Sequence, residues 1–338
     1  MLSIGLDAHE RTSSLCILDS SGRPVKELTL KGHPQRVLQW LQELGEPFQI
    51  CFEASTNYGW LYDGLKKIAV RVLVAHPGRL RLIFRSRRKN DRIDAARLAK
   101  LLYLGELPLV HVPGMDIRAW RGLIEHRQGC VRERTRVKNG IRALLRTHGI
   151  KTPHRLRLWT RNGRAWLAEL DLPTTVAILR RDQFLDDLEH HDRKIHRLEK
   201  MLETIGDGHR NITLLRTIPG VGMRTAEAFL AYVDDPQRFR GRSIGAYLGM
   251  VPRQDASGGV NRLGRITREG PATVRQMLAE ATWQAVRRSR TVRLRFERVC
   301  QGRPDRRKTA LIATAHYLAR VMIGMLITGE TWREEVIA

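Results

Sequence analysis

Lys89-Asn90-Asp91-Arg92-Ile93-Asp94-Ala95-Ala96-Arg97-Leu98-Ala99-Lys100 is the stretch whose reading decides the fold. It has the marks of a helix start. Asn90 suits the cap, and Asp91 and Asp94 fall in the first turns, where carboxylates oppose the positive end of the helix dipole. Three residues apart, the two aspartates share one helical face. Ala95 and Ala96 are small enough to let the helix lie close against another element. The preceding segment is strongly basic, with Arg79, Arg81, Arg85, Arg87, Arg88 and Lys89. Two carboxylates in such a setting form either a solvated salt-bridge face or half of a metal site. Two further carboxylates upstream bear on that choice.

The chain has 338 residues, enough for two or three domains. Lys and Arg number 60 against 35 Asp and Glu, a net charge of +25. That excess points to a polyanionic partner, nucleic acid before membrane. No window offers 18 uncharged apolar residues, and the first residues lack a secretory leader pattern. The nearest approach, residues 310–328, contains His316 and Arg320 and is expected to be a buried helix. Cys16, Cys51, Cys130 and Cys300 lie far apart with no CxxC pair. That spacing predicts reduced, buried thiols in a cytosolic protein, with neither a zinc site nor a disulfide framework.

Residues 1–112 read as a first domain. Leu2, Ile4 and Leu6 alternate in a strand that Asp7 ends. Further strands are expected over residues 13–19, 25–30, 48–52 and 70–75, with helices around residues 37–44 and 58–67. Glu53 closes the strand over 48–52. The order β-β-β-α-β-α-β-α is the one expected of an RNase H-like or RuvC-like α/β domain. In that fold the first strand and the strand after the first helix are neighbours, so Asp7 and Glu53 converge, and the late helix brings Asp91 and Asp94 over them. Four carboxylates at one point suit hard divalent cations, Mg2+ or Mn2+. Two such ions about 4 Å apart stabilise both the attacking and the leaving oxygen of an in-line phosphoryl displacement. Taken singly, Asp7 reads equally as a turn residue and Glu53 as a helix cap. A sugar-kinase or actin-like ATPase shares this start. It needs glycines and a hydroxyl after the first Asp, where this chain has Ala8-His9-Glu10-Arg11. No role is read for His9.

Residues 113–208 form the second segment. Leu123, Cys130, Val137 and Leu144 recur every seven residues, with Ile141 beside them, in a basic helix over 117–148. A second long helix over 175–205 carries Phe184, Leu188, Ile195, Leu198, Leu202 and Ile205, with His191 on the same seam. The stretch 151–173, bracketed by Pro153 and Pro173, reads as a break. Two heptad helices predict an antiparallel hairpin or an oligomeric coiled coil. Arg132, Arg134, Arg136 and Lys138 face either phosphates or solvent.

Residues 209–338 form the third, mostly helical segment. Ile218-Pro219-Gly220-Val221-Gly222 between two helical stretches matches a helix-hairpin-helix signature, whose glycines let backbone N–H groups meet a phosphate; a plain turn between helices is the other reading. Between Pro236 and Lys308, 18 Arg and Lys stand against 5 Asp and Glu. Within this basic stretch lies Ala256-Ser257-Gly258-Gly259. Ser-Gly is common in loops. Here Arg253, Arg262 and Arg265 could hold a phosphate, Gly258 and Gly259 let the backbone approach it, and the Ser257 hydroxyl could attack the phosphorus once activated.

In ordered combination, these pieces resemble the DEDD-motif insertion-sequence transposases, the insertion sequence 110 family of bridge-RNA-guided recombinases. The residues that carry the resemblance are Gly5-Leu6-Asp7, Phe52-Glu53-Ala54-Ser55, Asn90-Asp91-Arg92-Ile93-Asp94-Ala95, Ile218-Pro219-Gly220-Val221-Gly222, Leu248-Gly249-Met250-Val251-Pro252-Arg253 and Ala256-Ser257-Gly258-Gly259. The resemblance implies metal binding by Asp7, Glu53, Asp91 and Asp94, and Ser257 as nucleophile. It also implies a RuvC-like domain, a coiled-coil dimerisation segment and a C-terminal transposase domain. In such proteins a tetramer assembles active sites from different subunits, and a structured noncoding RNA pairs with target and donor DNA. The chain departs from the pattern at Thr56, where a glycine is frequent, and at Ala256, where a polar residue is common.

The expected partners are therefore DNA, a guide RNA and further copies of the chain as a dimer or tetramer, on the nucleoid of a bacterial or archaeal cytoplasm. Arg85, Arg87, Arg88 and Lys89, with Gly220, Gly222, Arg253, Gly258, Gly259, Arg262 and Arg265, are the candidate nucleic-acid contacts. Two other functions fit the composition: a metal-dependent junction endonuclease that forms no covalent link to DNA, and a non-enzymatic nucleic-acid-packaging protein.

Overall fold

The structure, a computed structural model, describes residues 1–55, 58–84, 90–239, 243–257 and 259–334. It divides into two compact units, Met1–Met115 and Asp116–Ala338.

The first unit is built on a five-stranded sheet. Its strands are β1 (Leu2–Ala8), β2 (Thr12–Leu18), β3 (Pro24–Lys31), β4 (Phe48–Glu53) and β5 (Arg71–Ala75), in the spatial order β3-β2-β1-β4-β5. The first three pair antiparallel, whereas β1–β4 and β4–β5 pair parallel. The register sets Leu6 beside Phe52, so Asp7 and Glu53 follow at the same end of adjacent strands. Side chains alternate between the two faces. Ile4, Leu6, Ile50 and Phe52 point to one face, where Val37 and Leu41 of α1 (Gln35–Gln42) and Leu61 and Leu65 of α2 (Tyr58–Leu65) complete a buried core.

Gly5, Asp7 and Cys51 lie on the opposite face, which is covered after α3 (Pro77–Ile83) by α4 (Asp91–Leu104). A Cβ on Gly5 would stand 2.1 Å from the Ala95 carbonyl oxygen and 2.3 Å from the Ala99 backbone nitrogen. Ala95 and Ala99 are fully buried there against Cys16 and Leu18, and the Cys51 thiol donates to the Leu98 carbonyl at 3.3 Å. The small residues at the contact are thus Ala95 and Ala99, whereas Ala96 sits partly buried beside it. The helix starts as its sequence indicates, with the Asn90 side chain accepting from the Arg92 N–H at 3.0 Å. Helix α3 falls inside the basic stretch that leads to Lys89. Its cap is a histidine, His76, which accepts from the Arg79 N–H, an unusual choice that leaves little trace in the sequence.

The second unit opens with α5 (Met115–Thr147), α6 (Arg161–Glu169) and α7 (Thr175–Gly206). Arg127 pairs with Glu199 at 2.5 Å and Arg134 with Asp192 at 2.9 Å. Seven residues forward on α5 match seven backward on α7, so the two helices run antiparallel within one chain. At the far end of this hairpin Val137, Ile141, Leu145, Leu167 and Leu188 form a small core, with Leu167 supplied by α6. The stretch 151–173 is therefore not wholly a break, since α6 lies within it. The Thr160 side chain caps that helix, and Gly163 interrupts its helical pattern because a Cβ there would meet the Arg157 carbonyl at 2.2 Å.

At the near end, Trp120, Ile124 and Leu202 join a larger core made by α8 (Arg210–Arg216), α9 (Met223–Val233), α10 (Ser243–Tyr247), α11 (Ala272–Arg288), α12 (Arg290–Cys300) and α13 (Arg307–Thr328). Helix α13 is long and apolar enough by composition to cross a membrane, and it buries Ala315, Leu318, Ala319 and Met322 in the second unit's core. Between α10 and α11 runs a hairpin of β6 (Pro252–Ser257) and β7 (Val260–Ile266). Ser257 pairs with Val260 at the end of the hairpin, whose turn includes Gly259. Ser257 thus ends a hairpin strand rather than lying in an irregular loop. Gly-Gly between two short runs is a hairpin signature, and Gly259 has the left-handed φ of 80° such turns require.

The β1–α4 contact yields a direct test. Gly5→Ala is expected to cost about 3 kcal/mol in chemical denaturation, because the added methyl meets backbone that no rotamer change can move. A loss below about 1 kcal/mol would contradict the close approach.

Candidate metal centre

Three elements of the first unit bring carboxylates together around Asp7. Strand β1 presents Asp7, β4 ends on Glu53, and the first turn of α4 carries Asp91 and Asp94. A cleft there holds about 370 Å³ and is lined by Asp7, Glu53, Asp94, His9, Arg81 and Arg97, among others. Asp7 is the most enclosed acid, with its side chain 17% exposed. Burial pushes its carboxyl above the usual range, and the Asp91, Asp94 and Glu53 carboxylates push it further, with His9 opposing them. All three other carboxylates thus act on Asp7.

His9, for which the sequence alone indicates no role, belongs to this cleft. Its Nε2 lies 3.4 Å from Asp7 Oδ1 and 3.9 Å from Asp91 Oδ1. Asp7, His9 and Asp91 each offer a ligand atom within 4.8 Å of the others. A cation held at about 2.1 Å keeps neighbouring ligands about 3 Å apart and opposed ones about 4 Å apart, which brackets both separations. The donor set therefore fits a divalent ion: carboxylate oxygens for charge, with one imidazole nitrogen that Mn2+ accepts more readily than Mg2+. Strand alternation places His9 on the face of Gly5 and Asp7, and that periodicity is the available signal.

Glu53 and Asp94 border the cleft without joining the tight trio. Asp94 pairs with Arg97 at 3.3 Å on its own helix, so the salt-bridge reading of the Asp-x-x-Asp pair also describes part of what is present. Arg97 in turn stacks on the Phe84 ring at 5.0 Å. With Arg81 it supplies positive charge at the cleft wall, suited to a phosphate.

Of the candidate nucleic-acid contacts, Arg85, Arg87, Arg88, Lys89 and Gly258 lie outside the described residues, as does Thr56. Gly220 has φ 96°, and a Cβ on it would stand 2.5 Å from the Ala285 backbone nitrogen, so this glycine serves the close packing of the α8–α9 turn on α11. Gly222 begins α9 with open space at its Cβ position and no side-chain cap. Both glycines border a cleft of about 730 Å³ shared with Thr225, Trp283, Arg287 and Arg307. Arg253, Arg262 and Arg265 are exposed on the β6–β7 hairpin, where Arg262 stands opposite Asp255, and Gly259 is exposed at its turn. Ser257 occupies the last position of β6.

Comparison with known proteins accords with this arrangement. A transposase family model of the IS110 DEDD type matches residues 4–150, which contain all four acids. A second, the transposase IS116/IS110/IS902 family, matches residues 212–297, which contain Ser257. A protein of Pseudomonas aeruginosa named a family 20 transposase is 30% identical over 67% of this chain and 68% of its own length. The transposase for insertion sequence element IS1111A of Coxiella burnetii is 24% identical over 98% of this chain and 91% of its own length. A Sinorhizobium fredii protein carrying the transposase name y4qE is 29% identical over 74% of this chain, and the match spans 61% of that relative. The chain belongs to the IS110 family of DEDD transposases.

Proposed function

We propose that the protein is the recombinase of an insertion sequence, cutting and rejoining DNA strands through a covalent phosphoserine link. The observation that carries the reading is the gathering of Glu53, Asp91 and Asp94 around Asp7 in a chain of this family. In this reading the first unit is a RuvC-like domain, residues 113–208 are a coiled-coil dimerisation segment, and residues 209–338 are the transposase domain bearing Ser257. The family implies a divalent metal; Mg2+ or Mn2+ would be held by the four acids, with His9 as an added ligand. When bound, the ion would polarise the scissile phosphate and stabilise charge on the attacking and leaving oxygens. Arg81 and Arg97 at the cleft wall hold the phosphate, and the exposed Arg253, Arg262 and Arg265 hold the flanking strand.

Ser257 Oγ forms the new bond to phosphorus as the bond to the leaving sugar oxygen breaks, and the serine proton ends on that sugar hydroxyl. The reverse attack by a sugar hydroxyl of the strand to be joined restores the phosphodiester and the serine. Acids from one subunit and the serine from another would complete each site in a dimer or tetramer. Target choice would rest on base pairing by a structured guide RNA, with the protein holding backbone and shape. The protein would act on the nucleoid in the cytoplasm.

Two experiments test this reading. The carboxylates repel one another without an ion, so millimolar Mn2+ is expected to raise the melting temperature of the wild-type protein by several degrees. Ion at about 100 times its Kd stabilises by about 2.7 kcal/mol. Asp7→Asn should abolish the shift and His9→Gln should reduce it; an equal shift in all three proteins refutes the site. Ser257→Ala should remove any protein–DNA adduct on nicked element-end DNA while leaving DNA affinity within about twofold of wild type. Strand cleavage that survives without an adduct would instead favour the metal-dependent junction endonuclease. Binding unaffected by Asp7→Ala and Mg2+, with no strand cleavage, would favour the packaging protein.

A further inference from the structure

A long run of uncompensated positive charge lies outside both stretches that resemble catalytic motifs. Between Arg132 and Arg164 stand eleven Arg and Lys and a single acid, Glu133. Arg136 pairs with that acid within its own helix. The net excess is ten charges in 33 residues, against thirteen in the 73 residues from Pro236 to Lys308. A solvated helix face ordinarily alternates its charges, so that neighbours three and four residues apart attract. Helix α7, the other arm of the same hairpin, does so with six Arg and Lys against seven Asp and Glu. The near half of α5, residues 115–131, is also balanced, with three against two. The imbalance is confined to the far end of the hairpin.

The structure gathers these cations rather than dispersing them. Arg134, Lys138 and Arg142 follow one another at intervals of four along α5 and so form a stripe. Asp192 of α7 accepts from Arg134 on α5 at 2.9 Å and from Arg164 on α6 at 2.5 Å, which holds the two arginines around one carboxylate. Lys138 and Arg142 both stand over the Trp159 ring, each at 5.1 Å from its centroid. Four cations thus share one acid. Burial lowers the Lys138 ammonium from its ordinary value, and Arg134, Arg164 and Arg142 lower it further, against the pull of Asp192. Around this cluster Arg146, Arg155, Arg157 and Arg161 are exposed. A purely structural salt bridge needs no such surplus, since the repulsion it creates destabilises the fold. A polyanion relieves it.

We infer that the far end of the helical hairpin, formed by the last turns of α5, the segment around Trp159 and α6, is a binding site for the phosphodiester backbone of a nucleic acid. The segment assigned to dimerisation by resemblance would then also grip a strand at a distance along the chain from the acids and Ser257. Contacts of this kind carry no base readout; they set register and orientation and make affinity steeply dependent on salt. Duplex DNA and a folded RNA offer the same chemistry, and the test separates them. The inference does not depend on the catalytic reading.

The test uses the full chain with Arg142, Arg146, Arg157 and Arg161 all changed to Glu, positions whose exposure spares the core. Fluorescence anisotropy follows its binding to a labelled arbitrary-sequence duplex of about 30 base pairs and to a labelled stem-loop RNA, over a range of salt. With about four phosphates no longer neutralised, the slope of log K against log salt should fall by about 3 to 4, and affinity at low salt by more than about tenfold, for at least one probe. The probe affected names the nucleic acid held there. The corresponding Arg→Lys variant should bind as wild type. Unchanged slope and affinity for both probes would overturn the inference. So would an Arg→Lys variant as impaired as the Glu variant, since charge would then not be what is recognised. The Mn2+-induced thermal shift should persist in the Glu variant, which separates failure here from failure of the metal site.

Discussion

The first unit depends on the approach of one helix to one strand. Where α4 crosses β1, Gly5 has no room for a side chain, and Ala95 and Ala99 press the helix backbone onto the sheet. Two residues beyond Gly5, on the same face, lies Asp7. On the helix Asp94 immediately precedes Ala95, and Asp91 lies one turn before it. The close contact is therefore also the device that sets the distance between the two sources of charge. The parallel pairing of β1 with β4 adds Glu53 from the side. Like charges brought together this way weaken a fold. The apolar packing of Ile4, Leu6, Ile50 and Phe52 on the other face of the sheet offsets that cost.

Much of this is legible in the sequence because it rests on local periodicity. Alternation in Leu2, Ile4 and Leu6 marks β1; Asn90 marks the start of α4; heptad spacing marks α5 and α7. What escapes follows atypical chemistry. Helix α3 starts at a histidine cap, α6 contains Gly163, a poor helix former, and the β6–β7 hairpin is mostly polar and exposed, with no hydrophobic alternation to announce it. Gly220 shows the reverse problem: a glycine that suggests phosphate contact is fitted against the backbone of α11. The spacing of His9 from Asp7 is visible in the chain, yet its pairing with Asp91 requires the fold of α4 over β1.

The second unit separates packing from charge. Its large core joins α8 to α13 around the near ends of α5 and α7, while a separate small core at the far end of the hairpin holds α6 in place. The first of these lies beside the exposed hairpin that carries Ser257; the second lies beneath a long run of uncompensated positive charge. A protein that moves DNA must hold strands at more than one point, and a long helical hairpin displays charge far from the core that anchors it.

The central claim is that Asp7, Glu53, Asp91, Asp94 and His9 share bound metal. Its most direct test is a crystal grown with Mn2+ and measured for anomalous scattering at the manganese edge. The account expects a peak in the cleft within about 2.3 Å of Asp7 and Asp91 oxygens. A well-ordered site with the carboxylates turned apart and no peak among them would contradict it.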